Sequence, residues 1–245
     1  MHTATAAADP GDTAMDDALT SVMRLMQFSD SALPTGSFSF SCGLEAAVSN
    51  GSVRDAATLE SFAETTVQRA DFTEAVAAQH AFRAFQNNDY ESFVRADRAL
   101  FLMTFGDENR LMLTRTGSKL ADLAEKLCGD DPILVRWKND IDSKHAPGTY
   151  PIAKAALFAL SGLSGKDLFC SLRYGLINTV LNAALRLIRV SHYETQSILF
   201  RLGAESEARW QEVRRMSLKD MHAFSPLCDI FFCIHEHGKM RMFMN

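Results

Sequence analysis

The sequence predicts an all-α fold: a single bundle of about nine or ten helices. Three observations carry that prediction. Only 6 prolines and 13 glycines punctuate the 245 residues, and most fall between periodic segments. Within those segments apolar residues recur every three or four positions, the spacing of one helix face. β-branched residues do not gather in the alternating runs that strands require.

The elements follow in order. A first helix is expected over roughly 18–28, with Val22, Leu25, Met26 and Phe28 apolar. A loop around Pro34-Thr35-Gly36 follows, where glycine permits a positive φ or a close backbone approach. A short helix over 43–49 ends at Asn50-Gly51. Leu59, Phe62, Ala63, Thr66, Val67 and Ala70 step by three and four along one long amphipathic helix over about 56–85, which Asn87-Asn88 breaks. Phe93, Ala96, Leu100 and Met103 share one side of a helix over 90–105. In the next helix, over about 107–127, Glu108 suits the positive end of the dipole, and ion pairing or capping is the expected role of Glu108 and Arg110. Asp131 before Pro132 reads as an N-cap with proline in the first turn, opening a helix through Ile141. A loop over 145–151 leads to a short apolar helix over 151–160. Ser164 and Asp167 have capping-box spacing and open a helix reaching Val190. Two further helices are expected over 194–202 and 205–222, and Phe224-Ser225-Pro226 breaks the chain into a tail.

This divides the chain into a flexible, disordered leader over 1–16, rich in Ala, Asp, Gly and Thr, one helical domain over 17–223, and a C-terminal tail over 224–245. Apolar residues make up 47% and charged residues 22%, ordinary values for a globular chain, and the net charge of −5 lacks the basic bias of a nucleic-acid binder. The five cysteines, Cys42, Cys128, Cys170, Cys228 and Cys233, form no CxxC pair and read as free thiols in a reducing compartment. The N-terminus lacks the basic and apolar regions of a secretory signal. The most apolar stretch, 168–190, carries Arg173, Asn178, Asn182, Arg186 and Arg189, too polar a set for a membrane span. A cytoplasmic protein with no membrane or nucleic-acid partner is expected.

The sequence contains no GxxxxGK[ST], GxSxG, HExxH or GxGxxG motif, so neither an enzyme nor a bound cofactor is expected. His235-Glu236-His237 is the one candidate metal cluster, with His235 and His237 as its nitrogen ligands. In extended chain the two histidines point to one side; in a helix they diverge by about 200°. The segment is either a metal site, as in a nickel-binding metallochaperone or a metal-dependent helical enzyme, or a solvated tail that becomes an interface. On the helix over 165–190, Ser171, Tyr174, Asn178, Asn182, Arg186 and Arg189 form a narrow polar stripe. It either hydrogen-bonds neighbouring helix ends or forms a seam at an interface. The tail carries Phe231, Phe232, Ile234, Met240, Met242, Phe243 and Met244, and either packs on its own body or awaits another protein.

The run Ser29-Asp30-Ser31-Ala32-Leu33-Pro34-Thr35-Gly36-Ser37-Phe38-Ser39, followed by Ser41 and Gly43-Leu44-Glu45-Ala46, resembles the N-terminal signature of the UreF urease accessory proteins. Three further blocks agree in order: Glu108, Arg110, Gly117 and Leu120; Tyr150-Pro151, Tyr174, Asn178, Ala183, Arg186 and Gln196; and Phe224-Ser225-Pro226 with Asp229, His235-Glu236, Arg241 and Phe243. The resemblance implies an all-helical, homodimeric, non-catalytic chaperone. Such a protein bridges the accessory protein UreD or UreH and the GTPase UreG, and the assembly delivers nickel to apo-urease. It implies that the tail residues Phe224, Ser225, Pro226, Asp229, His235, Glu236, Arg241 and Phe243 bind partners. Arg241 in particular supports UreG recruitment, and the loop of Pro34, Gly36, Ser37, Phe38, Gly43, Leu44 and Glu45 serves packing and interface. The sequence departs from the common pattern at Phe40, where the family often has histidine, at Cys42, often a small residue, and in its last residues, Arg241-Met242-Phe243-Met244-Asn245.

Overall fold

A computed structural model describes residues 10–36, 40–223, 225–226 and 228–231, with residues 10–17 given as backbone only. It is an all-α, single-domain bundle, as the periodicity predicts. In chain order the helices are α1 (Pro10–Ser29), α2 (Leu44–Ser49), α3 (Ala56–Ala70), α4 (Val76–Gln86), α5 (Tyr90–Met103), α6 (Asp107–Cys128), α7 (Pro132–Asp142), α8 (Tyr150–Leu160), α9 (Gly165–Leu187), α10 (His192–Ala204) and α11 (Ser206–Val213).

Local signals set most helix starts. The Asp131 carboxylate accepts from the amides of Ile133 and Leu134, with Pro132 in the first turn. Ser164 and Asp167 close the expected capping box at α9, and Ser191 with Glu194 does the same at α10, which therefore starts at His192 rather than 194. Two boundaries are corrected at the termini. The first helix begins at Pro10, so residues 10–16, expected in the leader, are helical; proline is favoured at a helix start because its missing N–H costs nothing there. The last helix stops at Val213 instead of running to 222, because Ser217 and Asp220 cap a separate 3₁₀ turn over Leu218–Asp220.

The long helix expected over 56–85 is interrupted. Between α3 and α4, Asp71–Ala75 is a π-helical turn, and it turns Asp71, Phe72, Thr73 and Ala75 inward. A π-turn widens the ladder by one residue, and such turns concentrate at functional sites. Asp71 meets Arg173 of α9 there in an ion pair whose side chains are both almost wholly buried.

Two hydrophobic cores result. The larger gathers α4, α5, α6, α7 and α8 around Phe93, Trp137, Leu120, Leu157 and Phe158, all at or near zero exposure. The smaller joins α2, α3, α10 and the second half of α9 around Leu44, Leu59, Val67, Ile177, Val180 and Ile198. The continuous α3–π–α4 rod and α9 each contribute to both cores, α9 through Leu168 and Phe169 at one end and Ile177 to Ala184 at the other. By length and composition α9 does reach the threshold for a membrane crossing, but it is the central helix of this bundle, with more than half of its apolar stretch buried in the fold.

Candidate functional site

A cavity of about 190 Å³ opens where the two cores meet. Its walls come from six stretches of chain: the end of α1 (Phe28 to Ser31), the bend before α2 (Phe40, Cys42), the α3–π segment (Thr66 to Glu74), the α5–α6 corner (Leu100 to Thr116), the start of α8 (Tyr150, Lys154) and the middle of α9 (Ser171 to Arg186). The polar stripe of α9 faces it. Ser171 exchanges a 2.6 Å hydrogen bond with Ser29 at the end of α1, and Asn178, Asn182 and Arg186 line the wall. Of the remaining stripe residues, Tyr174 is 42% exposed and Arg189 points to solvent.

The wall is built by close approaches elsewhere. Asp97, wholly buried in α5, accepts from the indole of Trp137 at 3.0 Å, from the amides of Gly148 and Thr149 at 2.9 Å each, and from the Thr149 hydroxyl at 2.6 Å. Those bonds pin the loop that leads into α8. Gly117 of α6 lets the same loop pass: a Cβ there would stand 2.0 Å from the Gly148 carbonyl oxygen. Together they place Tyr150 and Lys154. Arg110 donates from Nε to the Thr104 carbonyl at 2.9 Å, satisfying the C-terminal cap of α5 at the opposite wall.

Burial sets the ionisation of this lining. It pushes the Cys42 thiol up to about 12, with the Glu74 carboxylate adding to the shift. It also raises the Glu74 carboxyl, against the pull of Arg69, and raises the Tyr150 phenol. It draws the Lys154 amine down to about 7. Cys42 holds a positive φ of 53°, an uncommon conformation for a residue with a side chain. Gly36 takes its expected positive φ, at 81°.

The root of the tail lies beside this cavity. Arg69, a wall residue, donates from Nη2 to Asp229 at 2.8 Å, Cys228 is buried, and the Phe231 ring packs 6.4 Å from that of Phe62. This part of the tail packs on its own body, and Asp229 is an internal anchor. Phe224, His235, Glu236, His237, Arg241 and Phe243, with Ser37 and Phe38 of the signature loop, lie outside the described residues. Among the described residues no group of three His, Cys, Asp or Glu side chains is placed to hold a metal ion, and Cys42, Cys128, Cys170 and Cys228 are free thiols.

Comparison with known proteins decides the family. The UreF family model matches residues 53–203. The chain is 37% identical over 227 residues to urease accessory protein UreF 2 of Brucella canis, covering 93% of each chain. It is 34% identical over 224 residues to urease accessory protein UreF of Yersinia pseudotuberculosis, covering 91% of this chain and 98% of that one. The chain belongs to the UreF family. Its class is therefore that of the non-catalytic accessory chaperones of urease maturation.

The UreF signature residues scattered along the sequence converge in space. Ser29, Asp30, Ser31, Tyr150, Asn178, Ala183 and Arg186 all line the cavity, and Gly117 supports its wall. Others do not join it: Pro34 and Gly36 are exposed, Leu44 is in the smaller core, and Gln196 lies on the outer face of α10. Phe40, which stands where the family often has histidine, is buried. Sequence reasoning misses Arg69, Glu74, Asn109 and Lys154. Only Lys154 leaves a local signal, as the one charge within the apolar helix 150–160.

Proposed function

We propose that this UreF-family chain is a cytoplasmic scaffold that works as a homodimer. It bridges a UreD/UreH-type protein and a UreG-type GTPase on apo-urease, where nickel is delivered as cargo. The observation that carries this reading is the anchoring of Asp229 and Phe231 to α3. The ion pair of Arg69 with Asp229 and the packing of Phe231 on Phe62 fix the point from which the rest of the tail departs. A root held on α3 keeps the start of the tail in place, which lowers the entropy cost of capturing a partner. The tail residues Phe224, Ser225, Pro226, His235, Glu236, Arg241 and Phe243 are assigned to partner contact. The outer side of α1 adds a second surface: Leu19, Val22, Met23 and Met26, at i, i+3, i+4 and i+7, are each more than half exposed. An apolar stripe of that kind marks an interaction face.

The test is co-expression of the full chain, and of a chain ending at Phe231, with UreD/UreH-type and UreG-type proteins, followed by size-exclusion chromatography with mass measurement. The full chain is expected to co-elute with both partners as an assembly containing two copies of itself. The shortened chain, which keeps its anchor and its helicity, is expected to lose the UreD/UreH-type partner. Normal assembly by the shortened chain overturns the role of the tail.

A further inference from the structure

We propose that the cavity is a binding site for a small oxyanion, a carboxylate in the first instance, with the Lys154 ammonium as its counter-charge. The inference concerns this chain alone and does not rest on the assembly proposed above.

Lys154 is 2% exposed, in the middle of a helix whose other ten residues carry no charge. Among the described residues no carboxylate lies within ion-pair distance of its Nζ, although Lys138 and Lys166 both have such partners. Its polar neighbours are the Tyr150 hydroxyl at 3.4 Å and the Ser171 carbonyl at 3.5 Å, both at the long limit of a hydrogen bond. The faces of Tyr150 and Phe158, 5.5 and 5.8 Å from Nζ to their centroids, favour a cation there. Burying an ammonium without a counter-charge is costly; such a group either sheds its proton or finds an anion.

The cavity supplies room for that anion. A water needs roughly 10–15 Å³ on this measure, so 190 Å³ accommodates a molecule of several heavy atoms. Of the remaining lining, Asn178 and Asn182 carry amide donors, Asn109 gives one amide hydrogen to the Phe105 carbonyl and keeps the other, and Arg186 adds positive charge at the rim. Thr73 and Thr116 donate their hydroxyls to the Arg69 and Met112 carbonyls, and Arg69 is paired with Asp229, so these three shape the wall without serving the anion. Two carboxyls also line the wall. Asp30 is at the exposed rim, accepting from the Ala32 amide at 2.8 Å, and burial raises the Glu74 carboxyl toward its neutral form. The same burial that draws Lys154 down to about 7 is offset once an anion shares the cavity.

The experiment uses the full chain, with acetate as the carboxylate probe, phosphate as the second oxyanion and chloride at equal ionic strength as reference. Acetate or phosphate is expected to raise Tm in a saturable way, and Lys154→Met is expected to lose that shift. Reductive methylation of the wild-type chain by formaldehyde and cyanoborohydride, read by peptide mass spectrometry, provides a readout that needs no variant. At ten times the dissociation constant the probe is expected to slow labelling of Lys154 by about tenfold and leave the surface lysines unchanged. An equal Tm shift in Lys154→Met, or unprotected labelling of Lys154 at saturating probe, overturns the proposal. If Lys154→Met fails to fold, the labelling result decides alone.

Discussion

Arg69 and Asp229 are 160 residues apart in sequence and 2.8 Å apart in the fold, and through them the wall of the cavity holds the root of the tail. The two side chains are only 17% and 26% exposed, so solvent screens the pair less than a surface ion pair. Asp229→Ala is expected to cost about 1–2 kcal/mol of global stability. Its larger effect is local: amide exchange over 225–231 should accelerate well beyond that of α3. Equal exchange in variant and wild type would show that Phe231 alone seats the segment.

Gly117→Ala tests the passage of α6 past the loop before α8. The added Cβ would stand 2.0 Å from the Gly148 carbonyl oxygen and 2.6 Å from the Tyr150 nitrogen, so backbone must move. In a free helix the change would stabilise by about 1 kcal/mol. Here overpacking is expected to dominate and destabilise by about 2 kcal/mol or more in urea unfolding. A stabilised variant would refute the close approach.

What could be read from the sequence, and what could not, follows from the range of the forces involved. The caps at Asp131 and Ser164 are local chemistry within four residues, and both stand where their spacing puts them. The π-turn at Asp71–Ala75 is not local: it accommodates a pairing with Arg173, 102 residues away, which no window of periodicity contains. The apolar residues of α1 show the same limit. Leu25 and Phe28 face inward, whereas Val22 and Met26, equally apolar, are left on the surface, because among the described residues α1 packs against the bundle along one side. Half of the cavity was visible as the polar stripe of α9. The facing half, Arg69, Asn109 and Lys154, comes from three other elements, and its assembly is a tertiary event.

The Arg173–Asp71 pair gives a sharper energetic test. Arg173 also donates from Nη2 to the Leu202 carbonyl at 3.1 Å, tying α9 to α10. Arg173→Ala would leave a carboxylate and a carbonyl buried without partners, and about 3–5 kcal/mol of stability is expected to be lost. Asp71→Asn alone is expected to be destabilising as well. In a double-mutant cycle built from Arg173→Met and Asp71→Leu, the loss in the double variant should be smaller than the sum of those two singles, because removing both charges removes their shared desolvation. Additive losses would show that the two side chains act independently.

Lys154 predicts a pH dependence that runs opposite to that of a salt-bridged lysine. Burial draws its folded pKa down to about 7, whereas the unfolded chain titrates near the ordinary lysine value of about 10.4. Below pH 7 both states hold the proton, so folding pays the full penalty of burying the ammonium. Between those two values the unfolded state binds more protons, so stability contributed by this group rises with pH. Above the upper value the penalty is gone. Lys154→Met, similar in length and uncharged, removes the penalty at every pH. In chloride buffer without the probes, the variant is therefore expected to be more stable than wild type at pH 6.5, with the difference shrinking steadily toward pH 10. Measuring both by urea denaturation across that range isolates the lysine, since the other titrating groups are common to the two proteins. A gap independent of pH would show that Lys154 keeps its proton in the fold, held by a counter-charge already present.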